Sequence, residues 1–176
     1  MRIKIIFITI LSMSLCFQGC KQPNRQIKNS LKEFIGTEIV IPEGLVLFND
    51  TNDLIRKEAK YKAIFYIDSL SCTSCHLNQS TTTWSNMLKT FKDVDFSLFV
   101  IFQSQDIEGI QSLFESYGLD IPFFMDFGGD IESRNKLPAE KILHTFLLED
   151  GKVILAGSPY NNPKLFELYK RRIFGH

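Results

Sequence analysis

The sequence predicts an α/β domain, a central mixed β-sheet flanked by helices with extra N-terminal strands, and three observations carry that expectation. Two apolar runs, Ala63 to Ile67 and Phe96 to Phe102, are unbroken rather than alternating, which is the pattern of central strands covered on both faces. Each run is followed by a segment whose apolar residues recur at helical spacing. A hairpin signal at Asp150-Gly151 and a capped amphipathic helix close the chain, so the order reads βαβα and then ββα.

Taken in order, residues 21–30 are polar and lack aromatic side chains, and they read as a flexible spacer. Phe34-Ile35-Gly36 and Glu38 to Ile41, stopped by Pro42-Glu43-Gly44, predict a short strand and turn, with Leu45 to Phe48 as a second short strand. Residues 50–60 give an ambiguous signal. After the Ala63 to Ile67 strand, Trp84, Met87, Leu88 and Phe91 form one helical stripe, and the weakly helix-forming Thr81-Thr82-Thr83 predicts an irregular start to it. Beyond the second core strand, Ile107, Ile110, Phe114 and Tyr117 mark a helix ended by Gly118. Ile121 to Met125 reads as a strand and Asp130 to Lys136 as a short helix before Pro138. The strands Thr145 to Leu148 and Val153 to Ala156 flank the Asp-Gly turn. Asn162 then caps a helix that has Pro163 at its first position and turns Leu165, Phe166, Tyr169 and Ile173 inward.

Four cysteines divide into two groups. Cys16 and Cys20 lie in an N-terminal segment where Arg2 and Lys4 precede an uncharged, mainly apolar stretch from Ile5 to Phe17, too short to span a bilayer. Phe17-Gln18-Gly19-Cys20, with a small residue before the cysteine, resembles the lipobox of bacterial lipoproteins. That resemblance implies a signal peptide over residues 1–19, a lipidated Cys20 with a tether over 20–31, and a folded domain over 32–176. It places the protein in the cell envelope, anchored to a membrane and facing the periplasm or exterior. Phe17 and Gln18 depart from the usual lipobox residues, and a plain secretory peptide with a free Cys20 is the alternative. The 20 basic residues, less Arg2 and Lys4, stand against 20 acidic ones, a formal charge of −2 for the chain after Gly19. Basic residues are scattered apart from Lys170-Arg171-Arg172, which end the last predicted helix and complement its dipole, so nothing points to a nucleic-acid partner.

Cys72 and Cys75 are left to the folded part, spaced as Cys-Thr-Ser-Cys where an apolar strand gives way to a helix. An export route permits disulfides, but a single close pair is a poor structural framework and a good redox pair. The N-terminal sulfur sits where unsatisfied backbone N–H groups and the helix dipole stabilise a thiolate, which makes Cys72 the attacking and Cys75 the resolving residue. This pair at the end of the first core strand, within a βαβα-ββα order, resembles the thioredoxin-like superfamily over residues 32 to 174. The Thr-Phe-Leu-Leu and Asp-Gly-Lys-Val hairpin is similar to that of membrane-tethered extracytoplasmic thiol-disulfide oxidoreductases of the TlpA/ResA-like type. The resemblance implies disulfide exchange with protein substrates, a second dithiol protein as redox partner, and no dissociable cofactor. Ser71 before Cys72, the Thr73-Ser74 insert, and Leu143-His144-Thr145 where the family has a cis-proline are departures from its pattern. A non-proline cis bond costs about 3 kcal/mol, so the peptide before Thr145 is expected to be trans.

Other chemistries share the same residues. His144 reads either as a half-exposed polar residue at a strand entrance or as an imidazole tuning the Cys72 thiolate, and His76 as an exposed neighbour of the thiols. Asp68 reads as an exposed turn residue or as a buried carboxylate able to accept the Cys75 proton. The resemblance extends to copper chaperones of the Sco type, for which Cys72, Cys75 and His144 would be the ligands. Cys72 to His76 spells a c-type haem attachment motif, with Met87 or Met125 as the second axial ligand, but it follows a buried strand rather than lying in a helical cradle. A structural zinc site lacks four ligands. A degenerate thioredoxin-like interaction module without catalysis is a further reading. Most of the aromatic load fills the core; Phe123, Phe124, Met125 and Phe127 beside Gly128-Gly129 read either as part of that packing or as an exposed partner-binding loop.

Overall fold

A computed structural model describes residues 23–50 and 54–175. Helix α1 (Pro23–Phe34) leads to strands β1 (Val46–Phe48) and β2 (Tyr61–Ile67), then α2 (Thr73–Thr90) and β3 (Phe96–Phe102). Next come α3 (Ile107–Ser116), β4 (Phe123–Met125), the short α4 (Asp130–Arg134) and a 3₁₀ turn over Lys141–Leu143. The hairpin β5 (Thr145–Glu149) and β6 (Lys152–Ala156) and helix α5 (Pro163–Phe174) finish the domain. The six strands form one sheet in the order β1-β4-β3-β2-β5-β6. Strands β2, β3 and β4 are parallel neighbours, and β1, β5 and β6 pair antiparallel, so the sheet is mixed as the chain order implied.

Side chains of the central strands alternate between two cores, because successive residues of a strand face opposite sides. Ala63, Phe65 and Ile67 of β2 join Leu98, Val100 and Phe102 of β3 under Trp84 of α2, Phe114 of α3 and Tyr169 of α5. Ile64 and Tyr66 join Phe99, Ile101 and Phe146 on the other face, under Phe34 of α1 and Ile131 of α4. Covering both faces explains why β2 and β3 read as unbroken apolar runs.

The structure differs from the sequence expectation at four places. The described part of the stretch read as a flexible tether is helical, because Ile27, Leu31 and Phe34 recur at four- and three-residue spacing and pack on the second core, with Phe34 edge-on to Phe146 at 5.2 Å. The strand expected at Glu38 to Ile41 reduces to a single bridge between Glu38 and Lys152. Helix α2 runs unbroken through Thr81-Thr82-Thr83, since burial of Leu77, Ser80, Trp84 and Met87 along one stripe outweighs the few tenths of a kcal/mol by which each threonine disfavours a helix. Phe123, Phe124 and Met125 are strand β4, within the strand expected over Ile121 to Met125, and not the exposed loop of the alternative reading: they are at most 1% accessible, paired on both edges and covered on both faces, and Phe127 is half-buried against the first core. The export signal and Cys20 lie outside the described residues.

Candidate active site

Strand β2 delivers the chain to the candidate site. Its last residue, Ile67, is buried, and Asp68 follows with only 6% of its surface accessible. Asp68 Oδ1 accepts the Leu70 N–H at 2.9 Å and the Asp68 carbonyl accepts the Ser71 N–H at 3.0 Å, which turns the chain sharply into α2. Cys72 is the N-cap of that helix, and its sulfur accepts the Cys75 N–H at 3.3 Å. Ser74 Oγ stands 3.5 Å from the same sulfur. Cys72 and Cys75 are joined as a disulfide, with Cα atoms 5.3 Å apart, and both are exposed. A sulfur at the N-cap of an 18-residue helix lies beside free backbone donors and the positive end of the dipole, so on reduction a thiolate is favoured there.

Opposite this turn lies the segment before β5. Lys141 Nζ donates to Asp68 Oδ1 at 2.7 Å, across 73 residues of sequence. Burial alone would raise the Asp68 carboxyl, but the Lys141 hydrogen bond, the Leu70 N–H and the Ser71 hydroxyl outweigh it and hold the group below its usual range. His144 is buried, not half-exposed: its Nε2 lies 2.9 Å from the Pro138 carbonyl, which can only accept, so Nε2 carries the hydrogen. Its Nδ1 has no hydrogen-bond partner and stands 3.9 Å from Asp68 Oδ2, and its carbonyl accepts the Tyr66 N–H at 3.0 Å. The described residues contain no cis peptide, so Leu143-His144-Thr145 is trans, as the cost of a non-proline cis bond implied.

His76 sits in the first turn of α2, beside Cys75, with an exposed surface. Partial desolvation lowers its pKa below the ordinary value, opposed by the Asp68 charge and aided by Lys141. A cleft of about 520 Å³ opens here, with His76, Gln79, Trp84, Lys141, Ile142 and Leu165 among its walls. Asp68 and His144 are thus brought together next to the cysteine turn, and the reading of Asp68 as an exposed turn residue is overturned. Lys141, which completes the cluster, left no signal in the sequence: it is one lysine among many, far along the chain from its partner.

The rival ligand sets are not assembled. Both nitrogens of His144 face Pro138 and Asp68, and among the described residues no three His, Cys, Asp or Glu side chains are grouped to hold a metal ion. Met87 and Met125 are fully buried in the first core, so neither is available as a haem ligand to partner His76. Among the described residues no helix is long and apolar enough to cross a membrane.

No protein-family model and no curated protein matches the sequence. Solved structures do. The chain is similar to the thioredoxin domain of a thiol-disulfide oxidoreductase from Bacteroides vulgatus, with a TM-score of 0.56 and 14% identity over 79% of this chain and 97% of that one. It is similar to PrxQ from Xylella fastidiosa, with a TM-score of 0.55 and 12% identity over 78% of this chain and 96% of that one. A candidate protein disulfide isomerase from Bacteroides thetaiotaomicron gives a TM-score of 0.52 and 20% identity over 78% of this chain and 91% of that one. The mixed sheet, the helices on both its faces and these likenesses agree on one architecture: the chain has the thioredoxin-like fold.

Proposed function

We propose that the protein is a thiol-disulfide oxidoreductase that exchanges disulfides with protein partners through Cys72 and Cys75. The observation that carries this reading is an exposed Cys72–Cys75 disulfide whose first sulfur caps α2, on a thioredoxin-like fold. In the reduced protein the Cys72 thiolate attacks a partner disulfide, forming a mixed disulfide and releasing one partner thiolate. Cys75 then loses its proton and attacks Cys72 Sγ, which restores the internal disulfide and frees the second partner sulfur. Two electrons pass to the partner, and a second dithiol protein returns them; every step is reversible. Lipid at Cys20 holds the domain in the cell envelope and raises its effective concentration toward membrane-bound partners.

Substitution separates the two cysteines. Cys75→Ser is expected to accumulate mixed disulfides with partners on non-reducing gels, because the resolving thiol is gone, and Cys72→Ser is expected to accumulate none. Equal trapping by both variants would overturn the assignment of roles. Metabolic labelling with a fatty acid is expected to mark the wild-type chain and not Cys20→Ser; label on both, or on neither, removes the anchor from the proposal.

A further inference from the structure

We propose that the outward face of helix α1, which bears Arg25, Lys28 and Lys32, lies against the anionic headgroups of the membrane that holds the protein and so fixes how the domain sits on it. This deepens, and rests on, the lipid anchoring at Cys20 proposed above. The stretch expected to be a tether is helix from Pro23 onward, bound to the domain through Ile27, Leu31 and Phe34. Lys21 and Gln22 alone separate Pro23 from Cys20, a span of at most about 11 Å at full extension. A lipid on Cys20 therefore draws the N-terminal end of α1 to the bilayer surface and leaves little slack to hold the domain away from it.

The charge pattern of α1 specifies what it meets. At 3.6 residues per turn, Arg25, Lys28 and Lys32 fall within an arc of about 60°, on the side turned from Ile27 and Phe34, and all three are exposed. Among the described residues none of them is paired with a carboxylate. Lys28 stands three residues from Arg25 and four from Lys32, so the stripe repels itself, and Glu33 lies at neither spacing from any of the three. Lys32 suits the negative end of the helix dipole, but Arg25 sits in the first turn, at the positive end, where the helix carries no acid. Helix stability alone disfavours that arrangement, and a layer of lipid phosphates offsets both penalties. Helix α1 covers the second core, whereas α2, α3 and α5 cover the first, on the other face of the sheet. With α1 on the bilayer, the helix that carries Cys72 and Cys75 is turned away from the lipid. The partners that fit are proteins whose disulfides stand clear of the membrane on its aqueous side.

The test uses the lipidated chain isolated from membranes and bound to vesicles, either of phosphatidylcholine alone or with roughly one-third phosphatidylglycerol. A water-soluble acylating reagent marks accessible lysines, and peptide mass spectrometry reads the rate at each site together with the lipid on Cys20. Lys28 and Lys32 are expected to react roughly fivefold more slowly on the anionic vesicles than on the neutral ones. Lys164, exposed on α5 across the sheet, is expected to react equally on both. The slowing is expected to vanish in about 0.5 M salt, to shrink to roughly twofold in Arg25→Glu and to persist in Arg25→Lys. Residue 25 is exposed, so folding is expected to survive either change. Equal rates at Lys28 and Lys32 on the two vesicles, or a slowing shared by Lys164, with lipid present on Cys20, would overturn the membrane face and leave the anchor standing. A chain that carries no lipid on Cys20 overturns the anchor, and the membrane face with it.

Discussion

Strands β2 and β5 lie side by side and antiparallel, and a lysine–carboxylate pair closes each end of their ladder. At one end Lys60 Nζ lies 3.1 Å from Glu149 Oε1, with 46% and 34% of the two side chains accessible. At the other, Lys141 Nζ lies 2.7 Å from Asp68 Oδ1, with 49% and 7% accessible. The partners are the same chemically; only the depth of the carboxylate differs. Glu149 is held below its ordinary range first by the Tyr61 hydroxyl and then by Lys60, while water competes for both. Asp68 has little water to fall back on, so its oxygens depend on Lys141 and Leu70, and what depends on Asp68 is the turn that presents Cys72. The exposed pair decorates a strand end, whereas the buried one fixes the geometry of the disulfide.

The contrast can be broken most forcefully at Asp68. Asp68→Ala removes a buried charge-assisted acceptor and strands the Leu70 N–H, and is expected to cost about 2 kcal/mol in urea unfolding. The acid limb sharpens the point. Because folding lowers the Asp68 carboxyl, its contribution is complete above the ordinary value of 3.8 and is lost as pH falls from there through the lower folded value. Asp68→Asn is therefore expected to flatten the stability profile below pH 3.8, and an unchanged profile would remove the buried pair from the account. The smallest effect belongs to the other end. Glu149→Gln is expected to leave the urea midpoint near that of the wild type, with what difference there is vanishing in 1 M salt. A loss at Glu149 as large as at Asp68 would show that depth is not what separates the two ends.

Much of the scaffold was legible from local pattern. The run Phe96 to Phe102 is β3 with the same bounds, and the Asn162-Pro163 signal is realised as an Asn162 Oδ1 that accepts the Leu165 N–H at 3.1 Å. The Asp-Gly turn places Asp150 and Gly151 at positive φ, as a tight hairpin requires. Helix α1 escaped because its apolar positions are three in a polar dodecamer, too few to stand out until a core exists for them to cover. Strand β4 was legible within the run Ile121 to Met125, but its burial was not: β1 pairs with it from a distant part of the chain, which overturns the alternative reading of Phe123 to Met125 as an exposed loop beside Gly128-Gly129.

The cysteine pair, its place between strand and helix, and the α/β order are written in local pattern, because periodicity, spacing and turn chemistry act over a few residues. The folded sheet is what buries Asp68, brings Lys141 to it from 73 residues away, and turns the His144 ring to Pro138 rather than into a metal site. Those contacts arise where the antiparallel register of β2 and β5 brings the end of one strand to the start of the other. No local pattern encodes that meeting, since a lone lysine reads the same on any surface until the sheet supplies its partner.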